Sequence, residues 1–156
     1  MALLIEIVSV VNAPLSVVFE LERDVDVHAA SLDGSRETAT TSTGLRRLAL
    51  GDEVTFRARH FGLRWSMTSR ITAYEPPHRF VDEQTRGPFR TLRHEHLFHD
   101  LHGIGTQMTD RMTISAAWGP LGATVARVLV APYLRRLLKQ RAACIKYLAE
   151  APDRIT

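Results

Sequence analysis

A chain of 156 residues and 17.5 kDa, 45% hydrophobic and 24% charged, has the size and composition of one globular domain, 1–156, able to build a core without metal or disulfide staples. The net charge of +3 conceals an asymmetry, since residues 1–50 carry 4 basic and 7 acidic groups whereas residues 121–156 carry 7 basic and 2 acidic groups. A lone cysteine, Cys144, excludes an intramolecular disulfide framework, and no apolar run approaches the roughly eighteen residues needed to cross a membrane.

The opening MALLIEIVSVV contains Glu6 and lacks a basic leader, so it reads as a strand, Leu3 to Val11, and a cytoplasmic location is expected. Leu3, Ile5, Ile7 and Ser9 share one side of that strand. Asn12-Ala13-Pro14 ends it, and Pro14 suits the start of a short helix over Leu15 to Glu22, docked through Val17, Val18 and Leu21. A second helical or irregular piece covers Val25 to Leu32. Asp33-Gly34 marks a turn, and Ser35 to Thr41 has the Ser/Thr content of a short strand or exposed loop. Leu45, Leu48 and Leu50 then either cover a pocket mouth or pack on the sheet rim, with Arg46 and Arg47 solvated.

From Asp52 an antiparallel meander begins. Val54, Phe56, Ala58 and His60 share one face of its first strand, because successive side chains of a strand point to opposite sides. After the Phe61-Gly62 turn, Trp65, Met67, Ser69 and Ile71 alternate with Arg64, Ser66, Thr68 and Arg70. Glu75-Pro76-Pro77-His78 breaks the chain before the strand Arg79 to Gln84, whose period groups Phe80, Asp82 and Gln84. Gly87-Pro88 and His102-Gly103-Ile104-Gly105 delimit strands over Phe89 to Leu101 and Thr106 to Ala116.

Trp118-Gly119-Pro120 releases the chain into a long helix, Leu121 to Ala149. Leu121, Val125, Val128, Leu129, Leu134, Leu137, Leu138, Ile145 and Leu148 recur at spacings of three and four, so one side is apolar and needs a partner surface. Pro132 lacks the donor for the bond four residues back and is expected to bend this helix. Arg127, Arg135, Arg136, Lys139, Arg141 and Lys146 form a basic side, read as solvated or as a contact for an anionic membrane or assembly partner. Without interleaved aromatics, no nucleic-acid partner is expected for it.

Several segments resemble the START-like, Bet v 1-like superfamily, also called the polyketide cyclase/dehydrase and lipid-transport (SRPBCC) superfamily, and in particular its small bacterial ligand-binding branch. They are Gly51-Asp52-Glu53-Val54, Arg59-His60-Phe61-Gly62, Thr68-Ser69-Arg70-Ile71, Pro76 to Gln84, Gly87-Pro88-Phe89 and His94-Glu95-His96. The resemblance implies an α+β helix-grip fold: a seven-stranded antiparallel sheet wrapped around a long C-terminal helix, with two short helices after strand 1 and a cavity between sheet and helix. It also implies binding of lipids, polyketides or other largely apolar molecules, with cyclisation or dehydration in some relatives.

The chemistry lies in the strand phase. Leu92, His94, His96 and Phe98 project together, as do Met108, Asp110, Met112 and Ile114, so His94, His96, Asp82 and Asp110 converge near the cavity, with Gln84 and His60 as neighbours. Buried groups of this kind must find hydrogen bonds, which leaves a structural network, an orienting network for a polar ligand group, general acid/base catalysis by a His/Asp pair, or metal ligation. His94 and His96 permit two metal ligands on one face, but Glu95 points away and is a poor third. Neither a cysteine cluster nor an H-E-x-x-H motif is present, so no metal and no cofactor is expected. A G-x-S-x-G elbow, a dinucleotide fingerprint and a P-loop are all missing.

The expectation is therefore binding of a small, mostly apolar ligand, a lipid or aromatic metabolite, by a monomer or homodimer. Its contacts would come from Phe56, His60, Trp65, Met67, Phe80, Gln84, Leu92, Phe98, Met108, Met112, Ile114, Val125 and Leu129. The alternatives are a cyclase or dehydratase using His94 or His96 with Asp110 or Asp82, and a membrane-associated or assembly protein acting through the basic helix side.

Overall fold

Side-chain alternation along the meander sets the architecture, because each strand must turn its apolar positions to one shared face. A computed structural model describes residues 2–32, 34 and 36–151 of the chain. Its elements are β1 (Ala2–Val11), α1 (Leu15–Glu22), α2 (Val25–Ser31), β2 (Thr38–Thr41), β3 (Glu53–His60), β4 (Leu63–Glu75), β5 (Arg79–Arg86), β6 (Thr91–Asp100), β7 (Thr106–Ser115), α3 (Gly119–Val125) and α4 (Ala131–Glu150). A π-helical segment, Ala126–Val130, joins α3 to α4 without leaving the helical path. The strands form one seven-stranded antiparallel sheet in the order β1-β7-β6-β5-β4-β3-β2. This is the helix-grip arrangement, with α4 packed on β1, α1 and α2.

The expected inner face is the observed one. Ile5, Ile7, Val54, Ile71, Phe80, Leu92, Phe98, Met108, Met112 and Ile114 form the core with Leu138, Ala142 and Ile145 of α4. Phe19 of α1 plugs its centre, with ring centroids 5.7 Å from Phe80, 5.4 Å from Phe98 and 5.8 Å from Tyr74. In α1 the buried side is Val18, Phe19 and Glu22, while Val17 and Leu21 are only half-buried.

Capping fixes the corner between the short helices. Asp24 at the N-cap of α2 accepts hydrogen bonds from the backbone N–H groups of Asp26 and Val27. Arg46 is not simply solvated: it sits 2.6 Å from Asp24 and 3.5 Å from Asp26, and Arg47 lies 3.2 Å from Glu20. These pairs tie the loop before β3 to the α1–α2 corner. Of the three leucines in that loop only Leu48 packs inward, while Leu45 and Leu50 are exposed. The turn and strand start expected at Asp33 and Ser35 lie outside the described residues, and β2 begins at Thr38.

A π segment, Ala126–Val130, distorts the terminal helix directly before Pro132, whose missing N–H removes a donor from this continuous helical run. One expectation for the helix needs correction. Arg141 does not join Arg127, Arg135, Arg136, Lys139 and Lys146 in solvent but is buried, because Glu22 lies opposite it. Val128 is exposed as well. Among the described residues no helix is long and apolar enough to cross a membrane.

Candidate functional site

Between the concave face of the sheet and the α3–α4 wall lies a cavity of about 900 Å³, open to solvent. Its size falls near the upper end of the roughly 300–1,000 Å³ usual for small-molecule sites. Strands β3 and β4 supply Phe56, His60, Trp65 and Met67 to its wall, and β5, β6 and β7 supply Phe80, Leu92 and Met112. From the helical side come Val125, Leu129, Leu134 and Leu138. Val125 and Leu129 are 43% and 58% exposed, which puts them at the mouth instead of the floor.

Four nominated contacts do not reach this space. Phe98, Met108 and Ile114 are consumed by the core, where Phe19 and neighbouring strands cover them. Gln84 turns to the β5–β6 connection, its amide donating to the Phe89 carbonyl at 2.8 Å.

The four polar side chains nominated on β5, β6 and β7 do converge, because strand register places them side by side. His94 is opposite Asp82 across β5–β6, and His96 is opposite Asp110 across β6–β7. His94 Nε2–H donates to Asp110 Oδ1 at 3.0 Å, and His96 Nε2–H to Asp82 Oδ2 at 3.1 Å. His96 Nδ1 lies 3.0 Å from Asp110 Oδ1, a close ion contact off the N–H direction. Asp82, His94 and His96 border the cavity, whereas Asp110 does not line it and stands behind the imidazoles. Phe80 stacks on His96 at 4.1 Å and limits the freedom of its ring.

Two residues that the sequence did not mark complete the cluster. Glu22 Oε2 lies 3.4 Å from His96 Nδ1 and 2.6 Å from Arg141 Nη2, and Arg141 Nη2–H donates to the Glu22 carbonyl at 2.9 Å. A glutamate at the end of one helix and an arginine within another both resemble solvated charges in sequence. The fold brings them together across 119 residues.

Electrostatics follow from this packing. Burial alone would raise the Asp82 carboxyl, but the hydrogen bond from His96 and the nearby positive charges hold it down at about 2. Asp110 is likewise held below the ordinary carboxylate range despite its burial, by His94 and His96. Burial also opposes a charged His96, yet the surrounding carboxylates of Asp110, Asp82 and Glu22 outweigh it and push its pKa well above 6.5. His94 goes the other way, lowered by burial and by the charge of His96. One imidazole is thus charged and the other neutral, so the pair can both donate and accept at the cavity wall.

A second polar patch lies toward β3. His28 stacks on Phe56 at 4.2 Å with Nε2 3.0 Å from Glu37, and His60 Nδ1 shares a 2.7 Å hydrogen bond with the Tyr133 hydroxyl. Among the described residues, two groups of atoms are close enough to share a metal ion: Asp82, His94 and His96 form one, and Glu22, His96 and Asp110 the other.

The sequence model of the family described as "Polyketide cyclase / dehydrase and lipid transport" matches residues 4–150. No curated protein sequence matches the chain. Among solved structures, the Zhui aromatase/cyclase from Streptomyces sp. R1128 superposes with a TM-score of 0.79 at 18% identity, covering 96% of this chain and 94% of its own. The major latex-like protein 151 of Panax ginseng gives 0.71 at 12% identity, with coverages of 96% and 98%. A protein from Thermus thermophilus gives 0.71 at 15% identity, with coverages of 93% and 97%. At these identities the likeness shows a shared fold.

Proposed function

The chain belongs to the polyketide cyclase/dehydrase and lipid-transport family, and we propose that it binds a small, mostly apolar molecule, a lipid or an aromatic polyketide-like metabolite, between sheet and terminal helix. One observation carries this reading: a cavity of about 900 Å³ is walled by Phe56, Trp65, Met67, Leu92 and Met112 and bordered by the polar Asp82, His94 and His96. Apolar surface there favours a hydrocarbon body at roughly 25 cal/mol per Å² removed from water. The polar patch orients one oxygen-bearing end, because a misplaced polar group would lose its hydrogen bonds. Val125, Leu129 and exposed Trp118 frame the opening.

Native mass spectrometry of gently purified protein, followed by identification of released molecules, tests this directly. A solvatochromic apolar probe supplies the binding assay, and Ala58→Trp, which fills the cavity from β3, is expected to abolish its signal. Unchanged probe binding in that folded variant would reject the cavity as the site.

A second reading is favoured by the position of His96, which spans Asp110 and Asp82 while its ring forms part of the wall. In a cyclase or dehydratase, charged His96 would donate a proton to a ligand oxygen and neutral His94 would accept one, with Asp110 orienting both rings. Turnover of a diverse polyketide-like panel, lost in His96→Gln but not in Ala143→Ser on the outer side of α4, is the expected result. Equal turnover in His96→Gln would remove this reading.

A further inference from the structure

His94 and His96 supply two imidazoles to one face of β6, and Glu95 is turned to the other side, where it pairs with Arg79. The third position is filled from the neighbouring strand. Asp82 Oδ2 lies 3.1 Å from His96 Nε2 and 3.9 Å from His94 Nδ1, and the three donor atoms all lie within 4.8 Å of one another. Each of these side chains borders the cavity.

Asp110 sets which nitrogen of His94 faces forward. Its carboxylate can only accept, and its Oδ1 is 3.0 Å from His94 Nε2 and 3.0 Å from His96 Nδ1. It therefore draws the Nε2–H of His94 backward and leaves His94 Nδ1 forward, while His96 is turned with Nε2 toward Asp82 and Nδ1 toward Asp110. Once His96 releases the proton it shares with Asp82, as ligation by an imidazole requires, lone pairs stand on His94 Nδ1 and His96 Nε2, beside Asp82 Oδ2. Three electron-pair donors then meet at one point of the wall, and a cation is what such a set accommodates. A carboxylate behind a ligating imidazole is also the usual way its tautomer and direction are fixed. Charge agrees. Three carboxylates, Glu22, Asp82 and Asp110, face a single guanidinium, Arg141, so the cluster is acidic and suits a cation that displaces the His96 proton.

We propose that Asp82 Oδ2, His94 Nδ1 and His96 Nε2 form a site for one late first-row divalent cation, with Asp110 as positioning residue and the remaining coordination positions open to the cavity. Two imidazoles and one carboxylate suit zinc and its neighbours better than calcium or magnesium, which prefer all-oxygen shells. Metal–nitrogen bonds of about 2.0–2.1 Å place ligand atoms roughly 3–3.5 Å apart, so closing the site takes a small turn of the His94 ring. An ion here would meet the polar end of whatever molecule occupies the cavity, but the site is built from protein atoms and does not depend on that occupant.

The test uses full-length protein freed of metal with a chelator and titrated with Zn²⁺, then with Co²⁺ as a visible probe. One ion per chain is expected, with Co²⁺ d–d bands stronger than those of the aqueous ion and two imidazoles in the zinc X-ray absorption spectrum. Asp110→Asn should weaken binding by about 10–100-fold, and Asp82→Asn or His94→Gln should lose it. Failure of the wild-type protein to retain an ion overturns the proposal, as does a zinc spectrum without two imidazoles. Undiminished affinity in folded Asp82→Asn also overturns it, because the ion then sits elsewhere. Apolar-probe binding is measured on the same metal-free protein, so loss of the metal site and loss of the ligand cavity are read separately.

Discussion

Arg141 Nη2 lies 2.6 Å from Glu22 Oε2, and both side chains are almost completely buried where α4 crosses the end of α1. Removing one partner leaves the other charge stranded in a medium that solvates it poorly. Arg141→Met is expected to cost about 3–5 kcal/mol in equilibrium urea unfolding. Adding Glu22→Gln should recover more than half of that loss. If the double variant is no more stable than the single one, the pair is not a coupled latch.

The aromatic plug gives a second expectation. Phe19 touches the rings of Tyr74, Phe80 and Phe98, so no single neighbour can collapse into the space it leaves. Phe19→Ala should destabilise by about 3–5 kcal/mol, and Phe19→Leu by less. Urea midpoints of the two variants check the order.

His28 predicts a pH dependence. Burial, followed by the charge of Arg141, lowers its pKa below 6.5, although Glu37 and Glu22 pull the other way. Asp24 on its own helix cap is committed to the N–H groups of Asp26 and Val27 and to Arg46. The unfolded chain, with histidine near 6.5, then binds the proton more tightly than the folded one. Stability therefore falls as pH drops below about 6.5 and levels off once folded His28 also protonates. Subtracting the His28→Gln profile from wild type should isolate this slope. A difference that rises toward acid pH would contradict it.

Trp118 is 90% exposed in a left-handed conformation, φ 70°, at the cavity mouth. Trp118→Gly relieves about 1–2 kcal/mol of backbone strain but loosens the unfolded chain by about 0.4–1 kcal/mol. The net gain in urea unfolding should lie between about 0 and 1.6 kcal/mol. Stopped-flow release of an apolar probe should become faster, because a large ring leaves the opening; an unchanged rate would place Trp118 outside the ligand's path.

Strand chemistry was legible in the sequence because alternation is a local rule. Leu92, His94, His96 and Phe98 had to share a face once β6 was recognised, and the matching phase of β7 delivered Met108, Asp110, Met112 and Ile114. Distinguishing cavity wall from filled core was not local: Met112 lines the space while Met108, four residues away on the same face, is covered. Glu22 and Arg141 escaped notice for a related reason. A buried charge is identified by its partner, and nothing within either helix points to a residue 119 positions away.

The π segment explains why the helix face was harder to read. Cavity-lining residues recur as Leu121–Gly122, Val125–Ala126, Leu129–Val130, Tyr133–Leu134 and Leu137–Leu138, a repeat of four. An α-helix repeats every 3.6 residues, so over these four repeats the lining side would rotate away by about 160°. The extra residue of a π turn takes back about 100° of that rotation. Ala126–Val130 thus acts as a phase correction, keeping one helix in step with the cavity from mouth to floor. Deleting one residue there would leave hydropathy almost unchanged while putting the α3 and α4 linings about 100° out of phase, so that Leu138 and Arg141 could no longer face the sheet while Leu121 and Val125 stay at the mouth.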